Sequence, residues 1–542
     1  MVRRVFALVL SVVVLALLVV PGASADPSDD PHDDHSHGQN HSGPPELPPS
    51  LPGISNMALI GNSDKDGTTN SDLAFWEDLA FAGNYNGFRI LDISDPTAPT
   101  VLSDYFCRGP QNDVSVYQLR NRLLLLQSID TPQTKASCDG TVAGSSQDMP
   151  ISTTFPGQRE FGFEGIRIFD VTDPTAPEFL TGVPTACGSH THTTIPDIDD
   201  QRLLVYVASY PLGSGITPSD SQAPADLQCQ APHQKISIVQ VPAGDPATAS
   251  VLRVEPLSSD SRPYPGAVPG NPLAPPFIAC HDIQVFMKEQ IAVGACAGDG
   301  QIWDISIPED PTASDGEPHT HIPFPGGTVP AQGNDNWEFV HNAIITWDGR
   351  YFALADETGG GGTSECDGSA EERGGQSENG FYYFYPMVEP GAPTPTMLSR
   401  YMIPRPQGNE ICVMHNGNVI PTNQGYFLVS AAYQGGNSVV DFTDPANPVE
   451  IAFSDESDAV GDADSWSTYW YNDYIYVNGG LGRRGATRNR GVDIYALYDA
   501  NGDRVTGRNF HHMNPQTQEV FQTVGDDGHN RNAAARPGDG KH

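Results

Sequence analysis

The chain has 542 residues and a formal net charge of −39. That acid surplus excludes a nucleic-acid partner, because phosphate binding needs clustered Lys and Arg, and it disfavours anionic membrane surfaces. It gives a soluble surface that attracts cations.

The chain opens with "MVRR", an apolar run from Val5 to Val20, and "PGASA". A basic start, an apolar stretch and a small-x-small site make residues 1–25 a secretory signal peptide, cut after Ala25. No second apolar run of spanning length follows, so the mature chain is expected to be extracellular and outside the membrane. Residues 26–53 are rich in His, Asp and Pro and lack apolar periodicity, as in a disordered linker. Within it His32, His35, His37 and His41 lie among aspartates, which suits weak capture of transition metals; a solvated tether is the simpler reading. In "NSDKDGTTNSD" (Asn62 to Asp72), Asn62, Asp64 and Asp66 are spaced like the start of a calcium loop. Leu73 stands where the closing Glu belongs, so a polar turn is the simpler reading.

Internal repeats decide the fold. "GFRILDISDPTAPTVLSDY" from Gly87 and "GIRIFDVTDPTAPEFLTGV" from Gly165 are near copies, and "NSVVDFTDPANPVEIAFSD" from Asn437 is a third. Weaker copies begin at Lys235, Gly300, Phe381 and Gly491, so that Asp92, Asp170, Gln240, Asp304, Tyr385, Asp441 and Ala496 align. Each copy is an alternating strand, an Asp-Pro turn and a second strand, with two more alternating runs upstream. Four strands per unit and seven units give an all-β fold: a single seven-bladed β-propeller over residues 54–510, with long loops on one face. "NMALIGN" (Asn56 to Asn62) precedes the first unit and is expected to close the ring as the outer strand of blade seven. Residues 511–542 are polar and irregular, as in a loose tail.

The "GFRILDISDPTAP" unit resembles the LVIVD repeat of secreted and surface bacterial proteins. That resemblance implies a propeller and an extracellular location. It implies no particular chemistry.

Aligned on their innermost strands, the seven units begin at Ser71, Asn112, His190, His281, His341, His415 and Trp466. Four consecutive blades thus place a histidine at one equivalent position beside the axis. Neutral imidazole is the commonest ligand for copper, zinc and iron, so these four are expected to converge on one transition-metal ion. His192, two residues along the strand, is a candidate fifth ligand or lower rung. Asp282, Asn342 and Asn416 directly follow three of the histidines and are candidates to support them. Alternatively, the histidines satisfy strand ends in a wet, polar channel.

The longest inserts, Ser128 to Phe163, Ser209 to His233 and Glu357 to Gly380, emerge on the same face. The eight cysteines of a secreted chain predict four disulfides. Adjacency in a propeller selects Cys107–Cys138, Cys187–Cys229, Cys280–Cys296 and Cys366–Cys412. No C-x-x-C, G-x-S-x-G, P-loop or dinucleotide fingerprint is present. Two functions remain: a monomeric binding protein for an extracellular protein, glycan or small ligand, or a metal-dependent extracellular enzyme, plausibly an oxidoreductase acting at the channel mouth. No catalytic residue is assignable.

Overall fold

The computed structural model describes residues 54–143, 162–197, 201–211, 229, 231–258, 278–323, 339–357, 380–405, 411–455, 464–479 and 491–518. The expected signal peptide and linker, Cys366, most of the three long inserts and residues 519–542 lie outside them. The described residues form seven sheets, each built on four antiparallel strands and arranged as the seven blades of a propeller. Among the described residues no helix is long and apolar enough to cross a membrane. The innermost strands of blades 1 to 7 are Asn70–Trp76, Gln111–Leu119, Thr191–Asp197, Asp282–Phe286, Val340–Ile345, Gly417–Val419 and Ser465–Tyr471.

The repeated motif is the third strand of each blade and its exit. Gly87–Asp92 and Phe163–Asp170 end in paired Asx turns: Asp92 accepts from the Ser94 amide and Asp95 from the Thr97 amide. Asp170 and Asp173 do the same for Thr172 and Thr175, and Asp441 and Asp444 for Thr443 and Ala446. The Asp side chain thus replaces a backbone acceptor within the turn, which explains why this sequence recurs. The glycine that starts the motif is also structural. Gly87 has φ 145°, and a Cβ there would lie 1.9 Å from the Tyr105 carbonyl oxygen of the outer strand.

The core lies between blades. Phe81, Phe88 and Ile90 of blade 1, for example, pack on Val114, Leu125 and Phe169 of blade 2, all essentially inaccessible to water. Sheet faces that alternate apolar residues bury them against the next blade, so closing the ring completes the core.

Closure uses the expected segment. Met57–Ser63 pairs antiparallel with Gly491–Leu497 as the outer strand of blade 7. The buried Arg89 of blade 1 clamps the end of this strand, donating to the Ser63 carbonyl at 3.1 Å, Ser63 Oγ at 3.1 Å and the Asp64 carbonyl at 3.0 Å. Arg167 occupies the equivalent place in blade 2 and donates to the Arg108 and Ala136 carbonyls, both at 2.8 Å.

Three expectations are revised or completed. The propeller does not end at Phe510. His512–Met513 adds to the inner edge of blade 1, and Thr517–Gln518 runs parallel to the inner strand of blade 4. Between them Asn514 brackets Val116 of blade 2, accepting from its amide at 2.8 Å and donating to its carbonyl at 2.7 Å. Residues 511–518 therefore cross the channel at the far ends of the inner strands, so this part of the expected loose tail is ordered structure. Three of the expected disulfides are present, Cys107–Cys138, Cys187–Cys229 and Cys280–Cys296; Cys412 is also disulfide-bonded. In the candidate calcium loop, Asn62 lies inside a strand and its amide donates to Asp493 at 2.7 Å.

Candidate functional site

An inner strand has no neighbour on its channel side, so its backbone polar groups need other partners. Side chains supply them between every adjacent pair of blades. Ser71 Oγ donates to the Asn112 carbonyl at 2.9 Å, and the His192 amide donates to Asp113 at 2.9 Å. Thr193 reaches the Ile283 carbonyl, and the Ile345 amide reaches Gln284 at 2.9 Å. Asn342 donates to the His415 carbonyl at 3.2 Å, Asn418 to that of Trp470 at 3.0 Å, and Ser467 to that of Ser71 at 2.9 Å. The channel wall is thus a continuous polar girdle.

On this girdle the four aligned histidines form an arc. Ring centroids are 4.4 Å apart for His190 and His281, 3.8 Å for His281 and His341, and 4.2 Å for His341 and His415. All four are buried. Within the arc, ligand atoms of His281, His341 and Glu357 all lie within 4.8 Å of one another. Glu357 also reaches the other side, with one oxygen 3.5 Å from His341 Nε2 and the other 3.5 Å from His415 Nε2. The compact donor set is therefore two imidazoles and a carboxylate, with His190 and His415 flanking it.

Outer partners orient three of the rings. His415 Nδ1 donates to the Trp466 carbonyl, which can only accept. His190 Nδ1 lies 2.8 Å from Asp130, and its Nε2 lies 2.9 Å from the Tyr210 hydroxyl. His281 Nδ1 lies 3.1 Å from Asp282. His341 Nδ1 is buried and, among the described residues, has no hydrogen-bond partner. Burial, reinforced by the neighbouring imidazoles, holds His281 and His341 well below the usual histidine range, so both are neutral at pH 7 and able to ligate. Aromatic rings wall the cluster: Tyr210 and Phe339 beside His281, and Tyr433 and Trp466 beside His415. The Tyr433 hydroxyl donates to Glu357.

The other expected residues take structural places. Asn342 donates to Asn416 Oδ1 at 3.3 Å, tying blade 5 to blade 6. Asp282 does sit beside His281, and burial together with Asp113 and Asp72 pushes its carboxyl well above the usual range. His192 turns towards blade 2, with Nε2 2.6 Å from Ser115 Oγ and Nδ1 2.7 Å from Ser128 Oγ. Complete burial depresses it to about 3.

That depression makes His192 an acid-sensitive group. Its folded-state pKa lies below the unfolded value of about 6.5, so its contribution is complete above pH ~6.5 and is lost as pH falls from there towards 3. Each pH unit in that window corresponds to about 1.4 kcal/mol. The His192→Gln variant should therefore lose about 2.3 kcal/mol less stability than the parent between pH 6.5 and 4.5. Denaturant titrations at the two pH values measure the difference, and parallel losses would contradict a neutral buried His192.

Glu357, Tyr210, Tyr433 and Asp130 were not singled out from the sequence, yet a signal for them exists. They stand two residues after the small residues Ala355, Ala208, Ala431 and Ser128, near the ends of second strands, and Tyr85 follows Gly83 likewise. The second strands thus carry a register as regular as the histidine register of the inner strands.

A propeller with a polar axial channel, crossed at one end and carrying a buried His/Glu cluster near the other, is what fold and site define. The LVIVD repeat family model matches residues 68–106, which hold the strands of blade 1, so the chain carries an LVIVD repeat. No curated protein matches the chain. Among solved structures, the β-propeller domain of Myceliophteria thermophila Cps50 (Swd1) is similar, at 9% identity and a TM-score of 0.40, with 78% of this chain and 96% of that one covered.

Proposed function

We propose that the protein is an extracellular metal-binding propeller whose axial centre holds one divalent transition ion on His281, His341 and Glu357. The observation that carries this reading is the convergence of three buried ligand groups within 4.8 Å of one another. Imidazole–zinc bonds of about 2.0–2.1 Å put cis ligands roughly 3–3.5 Å apart, so shifts of about 1 Å close the set. Two imidazoles and a carboxylate suit zinc or ferrous iron. Asp282, behind His281, would hold the ring in its ligating orientation. Three ligands from the described residues would leave a coordination position open, the arrangement of catalytic rather than structural sites, and this favours a metal-dependent enzyme over a passive binder. The Tyr210 hydroxyl, 2.9 Å from His190 Nε2, and the Tyr433 hydroxyl, which donates to Glu357, border the cluster and would be available to a small polar ligand. The three disulfides support an oxidising, extracellular location.

Elemental analysis tests the centre. The full chain should retain one equivalent of metal more than the His281→Ala/His341→Ala double variant, with the β-sheet circular dichroism unchanged. Glu357→Gln should weaken binding at least ~100-fold, since loss of an outer partner alone costs about 10–100-fold. Equal metal content in parent and double variant would reject the axial centre.

A further inference from the structure

The outer strand of blade 4, His319–Pro323, carries a second pair of histidines that the channel does not use. His319 and His321 are two residues apart on a strand and so share one face. Their Nε2 atoms lie 3.0 Å apart. Both Nδ1 atoms have acceptor partners: that of His319 lies 3.0 Å from the Glu317 carbonyl oxygen, and that of His321 lies 2.9 Å from an Asp299 carboxylate oxygen. Each Nδ1 therefore carries the hydrogen, and in the neutral tautomers the two Nε2 lone pairs face each other. Two lone pairs at this distance repel unless a cation sits between them. A shared proton or a metal ion fills that role.

We propose that His319 and His321 form a peripheral site for a divalent transition-metal ion, namely copper, nickel or zinc. With metal–nitrogen bonds of about 2.0–2.1 Å, two ligands are about 2.9 Å apart at a right angle and about 3.3 Å apart at the tetrahedral angle. The observed 3.0 Å lies between these limits, so the rings are already at ligand spacing. Asp299, 2% exposed against 22% for His321, is the buried carboxylate that fixes the tautomer and raises the basicity of its imidazole. Asp299 pairs with Pro323 and Gln301 with His321 in the neighbouring strand, so the carboxylate is held by the sheet itself. The strand is pinned from blade 5 as well: Thr320 donates to the Ala392 carbonyl at 2.9 Å, and Thr394 donates to the His321 carbonyl at 2.8 Å. Rigid ligands lose little freedom on binding. Among the described residues the two imidazoles supply two ligands, and water or a donor from a partner would complete the coordination. The site is separate in sequence and place from the axial cluster, and the strongly acidic surface raises the local cation concentration.

Copper(II) titration of the full chain, followed by electron paramagnetic resonance and calorimetry, tests the site. His319→Asn/His321→Asn should bind one equivalent fewer than the parent, whereas His281→Ala/His341→Ala should keep this equivalent, so the two sites can fail independently. All variants retain the amino-terminal histidines, whose contribution cancels in the comparison. Asp299→Asn should weaken the site about 10–100-fold without removing it. In crystals soaked with copper, an anomalous peak should lie within about 2.0–2.1 Å of both Nε2 atoms. Unchanged stoichiometry and affinity in the double variant, with no peak between the rings, would show that the pair shares a proton and would overturn the proposal.

Discussion

A chain ending at Phe510 should fold into the seven blades yet lose about 5 kcal/mol or more of stability. Residues 513–518 include Met513, Asn514, Gln516, Thr517 and Gln518, all at most 8% exposed. Their removal strips partners from the inner edges of blades 1 to 5. The Val285 amide loses the Gln516 carbonyl at 2.9 Å, and the Met287 amide loses that of Gln518 at 3.0 Å. Val116 loses both Asn514 contacts, the Thr194 carbonyl loses Thr517 at 2.6 Å, and the Thr346 carbonyl loses Gln518 at 3.0 Å. Six hydrogen bonds at about 1 kcal/mol each, partly replaced by water in the opened channel, set the scale. Hydrogen exchange at the Val116, Val285 and Met287 amides should rise by two orders of magnitude or more, the pattern of local loss on a retained ring. Unchanged exchange and an unchanged unfolding midpoint would mean that the segment does not close the channel.

Arg89→Met should be the most damaging single change among the charged residues, at about 3–5 kcal/mol. The guanidinium is buried, and desolvation lowers it only to about 10, so it remains charged at pH 7. Methionine keeps the apolar stem but removes the guanidinium donors from the Ser63 and Asp64 carbonyls and the Ser63 hydroxyl at the seam where the first and last blades meet. Hydrogen bonds from a charged donor are worth about 1.5–3 kcal/mol each. Because the seam holds the two ends of the ring together, unfolding should also accelerate. Lysine, with a single point charge, should restore only part of the loss, since it cannot span acceptors on two residues. A lysine variant as stable as the parent would show that the charge alone, and not the fork, holds the seam.

A pocket of about 410 Å³ lined by Trp347, Val419, Tyr426 and Arg508 lies towards the crossed end of the channel, away from the histidines. The histidine arc sits at the other end, where His281 precedes Phe286 by about 16 Å of strand.

The sequence by itself determined the blades. Strand alternation, the Asp-Pro turns after Asp92, Asp170 and Asp441, and the glycines that start the motif are local requirements of the backbone, so they repeat wherever a third strand ends. The same phase relation made the histidine arc legible, because rotation about an axis brings equivalent positions together. Even the closing strand from Met57 could be read, since its alternation fits an unfilled place in blade 7. Only the tertiary structure decided which donors form the compact set. Selecting Glu357 over His190 as the third group depends on radial distances across the channel, and those follow from how seven twisted sheets close. It alone placed residues 511–518, too, because a strand edge offers backbone donors and acceptors that any sequence can meet, and a polar segment pairing through its backbone leaves no periodic trace.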